Sequence, residues 1–414
     1  MEWDSTRSST TVALAGAEFG WGSTGKLSAV IAALRDRTSG PLRFVGLASG
    51  LSRTLLQEHG VERWYDLDVT DRQAVADVVR RERISTALVV LEGPAAIALE
   101  AAGVPTVFVD SLPFLWTDGD RDVLPTEVSV YCAQKCLDLP PECQGVLSAV
   151  TNLRWVEAVV AHTARASGPA PENARAGTGS TRPASDAPWR SALVSLGGLR
   201  SPTLTDWTCY PSLVVPATLG ALAAAGVREV HVAGNLPAGF TVDADHPPGV
   251  DVTYGSLPHE TFLERLADTD VLLTSPGLTT LLEAGARGRP TVCLPPQNLS
   301  QIFNGRHHSH AVGTDVRVRW PQEVFSEADV LRDRTGPEDT ALRVIYGGIA
   351  AAAAGPDAHR VRADVRDAIR AALRDARAGA RWTGLTDAVG RHGARQVADR
   401  LLALVPRAPA AARN

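Results

Sequence analysis

An α/β protein made of two parallel-sheet domains is what this sequence predicts, and three observations predict it. The chain has 414 residues, which at roughly 150 residues per domain asks for two domains or three, with cores large enough to need no staples. Short apolar runs alternate with amphipathic stretches, the pattern of a parallel sheet covered by helices on both faces. Near the middle, around 164–188, the composition turns to Ser, Gly, Pro, Ala and Thr, which reads as a linker.

In chain order, strands are expected over 11–16, 42–47, 88–91 and 106–110, with a helix over 27–34 after the first. The second half restarts the alternation, with strands over 191–196, 229–233 and 271–274 and helices over 214–225, 261–267 and 278–286. Two Arg- and Ala-rich stretches over 359–406 carry apolar residues at helical spacing and are expected to pack across the domains. The expected layout is therefore a domain over 1–164, a linker over 165–188, a second domain over 189–335 and C-terminal helices over 336–414.

Hydrophobic residues make up 44% and charged residues 21%, and the net charge is −5. That balance excludes a disordered or fibrous chain and lacks the basic field of a nucleic-acid binder. Five cysteines in a long chain argue for a reducing compartment rather than a disulfide framework. The polar stretch over 1–9 lacks a signal-peptide core and no window approaches the roughly 20 apolar residues of a membrane span, so a cytoplasmic location is expected.

Gly20 to Lys26 matches the Gly-x-x-x-x-Gly-Lys skeleton of a phosphate loop. Leu27 stands where a magnesium-binding hydroxyl belongs, so the expected role is a ligand-facing glycine loop at a helix N-terminus without Mg-ATP. Glu18 lies between Phe19 and Trp21 at a strand end, where ligands of open α/β sheets bind. A second strand end carries Asp110, followed by Phe114 and Trp116; either carboxylate could serve as a base and the aromatics could stack on a planar substrate. Asp118-Gly119-Asp120 reads as a solvated turn, Cys132, Cys136 and Cys143 fit no common zinc spacing, and His307, His308 and His310 would alternate faces in an extended run. No metal site is expected.

The second half is more specific. Val271 to Pro290 reads as strand, glycine turn and helix, with Gly277, Leu278, Thr279 and Thr280 at a helix N-terminus suited to a pyrophosphate and Ser275 just before it. Glu283 on that helix could accept from ribose hydroxyls. Gln297 and Asn298, after the next strand, could read sugar hydroxyls, and Gly197 and Gly198 offer a second close backbone approach.

The stretch from Tyr254 to Asn304, with Gly277, Glu283, Pro290, Gln297 and Asn304 in order, resembles the donor half of GT-B glycosyltransferases similar to the peptidoglycan UDP-GlcNAc transferase. The resemblance implies a GT-B fold, a phosphate site at Gly277 to Thr280, ribose on Glu283, donor sugar on Gln297 and uracil beside Ser256 and Leu257. A narrower resemblance, on Ala15 to Ser28 and Asp110 to Trp116, is to cytosylglucuronate synthases of peptidyl-nucleoside antibiotic pathways. It implies transfer of glucuronate from UDP-glucuronate to a ring nitrogen of cytosine. UDP-sugar is then a substrate and no cofactor is implied. The acceptor slot would be Phe19, Trp21, Phe114 and Trp116, the base Glu18 or Asp110, and the cation for the sugar carboxylate Lys26, Arg200 or Arg306.

Overall fold

The computed structural model describes residues 10–38, 40–48, 50, 52–161, 188–199, 206–236, 240, 247–332 and 338–405. The expected linker over 165–188 lies outside them apart from its last residue, and so does Arg200.

The first half alternates β1 (Thr10–Gly16), α1 (Gly22–Arg37), β2 (Leu42–Leu47), α2 (Ser52–Leu55), β3 (Arg63–Tyr65), α3 (Arg72–Glu82), β4 (Thr86–Val90), α4 (Gly93–Ala101), β5 (Thr106–Asp110), β6 (Val130–Gln134), α5 (Pro141–Leu147) and β7 (Leu153–Val156). The seven strands form one sheet in the order β3-β2-β1-β4-β5-β6-β7, parallel throughout. Its central strands are buried on both faces, which is why they read as unbroken apolar runs.

The second half has β8 (Ser191–Gly197), α6 (Cys209–Ala224), β9 (Glu229–Gly234), β10 (Asp251–Gly255), α7 (His259–Asp268), β11 (Val271–Thr274), α8 (Leu278–Ala286), β12 (Thr291–Cys293) and α9 (Leu299–Val312). Its sheet runs β10-β9-β8-β11-β12, again parallel. Helices α10 (Glu327–Arg332), α11 (Glu338–Ala354), α12 (Ala358–Arg377), α13 (Gly384–Val389) and α14 (Gly393–Leu404) follow.

The C-terminal helices join the halves. α12 packs on α6, whereas α14 returns to α1 and the first sheet, where Val397, Ala398 and Leu401 enter the core of Leu14, Leu27 and Val107. α13 lies between, its Leu385 and Val389 packed with Leu281 and Leu282 of α8 and with Ala158 and Val160 from the end of the first half.

Two expectations need correction. The first helix begins at Gly22, so the second half of the glycine-rich motif is helical, not loop. The three histidines stand on α9 rather than in an extended run; His307 packs edge-on to Phe114 and His308 stacks on Trp382.

Candidate active site

In each sheet the strand order reverses between two neighbours, β1 with β4 and β8 with β11, and the crevice beyond the carboxyl ends of such strands is where open α/β sheets bind ligands. Here the two crevices face one another. Between them lies a cavity of about 290 Å³, lined by segments after β1, β5, β8, β11 and β12.

Two helix N-termini meet in it. α8 starts after Gly277 and α1 after Trp21, and neither N-cap residue places a side chain on the first-turn N–H groups; these groups and the helix dipoles favour an anion. The close approach depends on glycine. A Cβ on Gly198 would lie 2.5 Å from Gly20 Cα and 2.8 Å from Trp21 N, and one on Gly25 would lie 3.1 Å from Thr279 Cγ2. Gly20 and Gly197 both adopt φ of +67°, open to glycine at little cost.

Lys26 of α1 reaches across this junction. Its side chain is only 1% exposed, and Nζ donates to Thr279 Oγ1 at 2.5 Å. Burial lowers its pKa to about 8, partly offset by the negative charge of Glu283. Apart from His259 it is the sole basic side chain among the described residues lining the cavity.

Glu283, also a lining residue, is 2% exposed and its Oε1 lies 2.7 Å from His259 Nε2. His259 Nδ1 meets Ser28 Oγ at 2.8 Å, and that hydroxyl meets His59 Nε2 at 2.7 Å. His59 is held neutral, its pKa lowered to about 4 by burial, by Arg35 and by His259. Sequence reasoning missed His259 and His59, because their partners are distant along the chain.

Phe19, Trp21, Leu115 and Trp116 also line the cavity. Phe114 does not: it is 1% exposed and its ring packs on Phe303, 5.8 Å between centroids, and His307 at 5.1 Å, pinning the loop after β5 to α9. Asp110 differs from expectation as well. It is wholly buried and accepts from Trp116 Nε1 at 2.7 Å, Tyr131 Oη at 2.8 Å and Leu112 N at 2.9 Å, so it orients Trp116 instead of facing the cavity. Burial pushes its carboxyl up to about 6 against the lowering pull of these donors.

Glu18 accepts from Gly50 N and is flanked by Ala17 and Phe19, which line the cavity while it does not. Burial, with the charge of Glu18 adding to it, pushes Glu92, just after β4, up to about 7; sequence reasoning did not single out Glu92. On the donor side, Ser275, Gly277, Leu278, Thr279, Thr280, Gly197, Gly198, Leu257, Gln297 and Asn298 all line the cavity, whereas Ser256 is exposed and outside it. Gln297 Nε2 donates to Ser275 Oγ at 2.7 Å and its Oε1 accepts from Tyr346 Oη at 3.1 Å, which fixes the amide. Asn298 Oδ1 caps α9 through Gln301 N at 2.9 Å. Arg306 points away, toward Glu327 Oε2 at 3.5 Å. No group of three or more metal-ligating side chains occurs among the described residues, nor is any helix there long and apolar enough to cross a membrane.

No family model matches this sequence, and no curated protein does. Solved structures do. UGT89C1 of Arabidopsis thaliana, complexed with UDP-L-rhamnose, is 14% identical over 96% of this chain and 99% of that chain, TM-score 0.53. S. aureus MnaA with UDP is 10% identical over 97% and 99%, TM-score 0.53. A putative UDP-N-acetylglucosamine 2-epimerase from Listeria monocytogenes is 12% identical over 96% and 95%, TM-score 0.50. The likeness is one of fold, and the fold is GT-B.

Proposed function

We propose that the protein is an inverting UDP-sugar glycosyltransferase whose second domain holds the nucleotide-sugar and whose first domain presents a small planar acceptor. The observation that carries this reading is the meeting of two uncapped helix N-termini and a buried lysine at one cavity. N–H groups, helix dipoles and Lys26 would stabilise a diphosphate leaving group without a metal, because they act where negative charge develops. The place of Lys26 beside Thr279 supports a role on the diphosphate rather than on a sugar carboxylate. Glu283 would hold ribose and Gln297 the sugar.

The finer reading is transfer of glucuronate from UDP-glucuronate to N1 of cytosine, in nucleoside natural-product biosynthesis. It is supported by the resemblance of the segments Ala15 to Ser28 and Asp110 to Trp116, and by the aromatic wall of Phe19, Trp21 and Trp116. In the step, a base takes the N1 proton, N1 bonds to C1′ of the sugar, and the C1′–O bond breaks with its electron pair leaving on UDP. An α donor gives a β product in one displacement. Glu18, between the cavity-lining Ala17 and Phe19, is proposed as the base and would have to turn from Gly50 N toward the cavity to take the proton.

Purified protein given UDP-glucuronate, UDP-glucose or UDP-GlcNAc, with and without cytosine, tests this by UDP release and mass spectrometry. The expected result is cytosine-dependent UDP from UDP-glucuronate together with a cytosine–glucuronate adduct. UDP-GlcNAc turnover without acceptor would instead indicate a 2-epimerase, the activity named for the Listeria neighbour. Absence of any cytosine-dependent UDP would overturn the acceptor assignment.

A further inference from the structure

A row of polar side chains, exposed at Arg35 and buried from His59 onward, crosses from the first domain to the second and ends on the cavity wall. It comprises Arg35 and Ser28 of α1, His59 after α2, His259 of α7 and Glu283 of α8. Its proton positions follow from what each group can donate.

A guanidinium only donates. Arg35 contacts His59 Nδ1 at 3.5 Å and anchors on the His59 carbonyl at 2.6 Å, so Nδ1 is an acceptor and the single proton of the neutral ring sits on Nε2. That proton goes to Ser28 Oγ at 2.7 Å. The serine has one proton of its own, and the remaining neighbour is His259 Nδ1 at 2.8 Å. His259 then carries its proton on Nε2 and gives it to Glu283 Oε1 at 2.7 Å. Every bond points the same way, toward a carboxylate, and leaves Glu283 Oε2 for a ligand hydroxyl.

Such a row is an expensive means of holding two domains together. Burying this many polar groups costs free energy unless each is satisfied, and an apolar interface would hold the surfaces as well. Its termination on a cavity residue gives it another purpose. We infer that Ser28 and His259 are positioning residues, a one-way relay by which docking of the first domain orients the Glu283 carboxylate toward the ribose hydroxyls of the donor. The inference rests on the UDP-sugar reading for its ligand. It makes the grip on ribose depend on a residue that the donor does not touch and that lies 231 positions from His259 in the chain.

Calorimetric titration with UDP and with 2′,3′-dideoxy-UDP tests it. Ser28→Ala should weaken UDP binding about tenfold, as residues coupled through one network do, and leave dideoxy-UDP unchanged. Ser28→Thr, which keeps the hydroxyl, should restore UDP binding. An equal loss for both ligands, or no loss for either, overturns the relay. Failure of the wild-type protein to bind UDP would overturn the donor reading instead. The proton pattern has its own readout, independent of any nucleotide or variant: imidazole ¹⁵N shifts of the unliganded protein should report His259 as the Nε2–H tautomer, and an Nδ1–H tautomer would contradict the relay.

Discussion

Lys26 is a residue whose burial comes at a cost to the fold. A buried ammonium with a hydroxyl as its direct partner is destabilising until an anion arrives. Folding lowers its pKa from 10.5 to about 8, so between those values the unfolded chain binds more protons than the folded one and stability rises with pH across that window. Lys26→Met should therefore stabilise the unliganded protein at pH 7 by roughly 1–3 kcal/mol, flatten that rise in urea denaturation, and weaken UDP binding. In the wild type, UDP affinity should fall above pH about 8 as the ammonium is lost. Asp110 gives the opposite case, a buried charge fully occupied by protein donors. Asp110→Asn turns an amide N–H₂ against one of those donors and should cost about 1–3 kcal/mol of stability, with a shift in Trp116 fluorescence as the ring loses its anchor.

The glycine loops set the reach of the elements. Gly198 and Gly20 touch backbone to backbone, so Gly198→Ala should hold the domains apart and lower kcat on the order of 100-fold, the scale of a displacement of about 1 Å at a reacting centre. Gly226→Ala is the control: its φ of +88° carries backbone strain but nothing lies within 4 Å of its Cβ, so it should cost about 1 kcal/mol of stability and leave the rate unchanged. Much at this scale was legible from sequence. β1, β5 and β11 are buried on both faces and read as apolar runs, and α8 announces itself by Gly277 before an apolar stretch. The edge strands β3 and β7 were not legible, since Arg63, Arg154 and Trp155 are exposed and interrupt the pattern. α9 was hidden for a different reason: its buried positions mix Leu299 and Ile302 with Asn304 and His308, so it shows no apolar stripe. Phe114 and Asp110 have the residue types of a site, and only packing reveals that one pins the domains together and the other holds an indole.

At the scale of the whole molecule, the two halves are joined by more than the connection between them. α14 completes the core of the first domain, α12 covers the second, and α13 seals the seam. This places the two reversal points of the sheets opposite one another and brings α1 and α8 nose to nose across the cavity. His259 could not be found from sequence because its meaning arises only at this scale, where Ser28 and Glu283 arrive from different domains. A nucleotide diphosphate is proposed to sit where these helices meet. A crystal structure with UDP is the decisive measurement: diphosphate density is expected against the N–H groups of Leu278 to Thr280 with Lys26 Nζ in contact and ribose on Glu283, and UDP bound anywhere else would overturn the proposal.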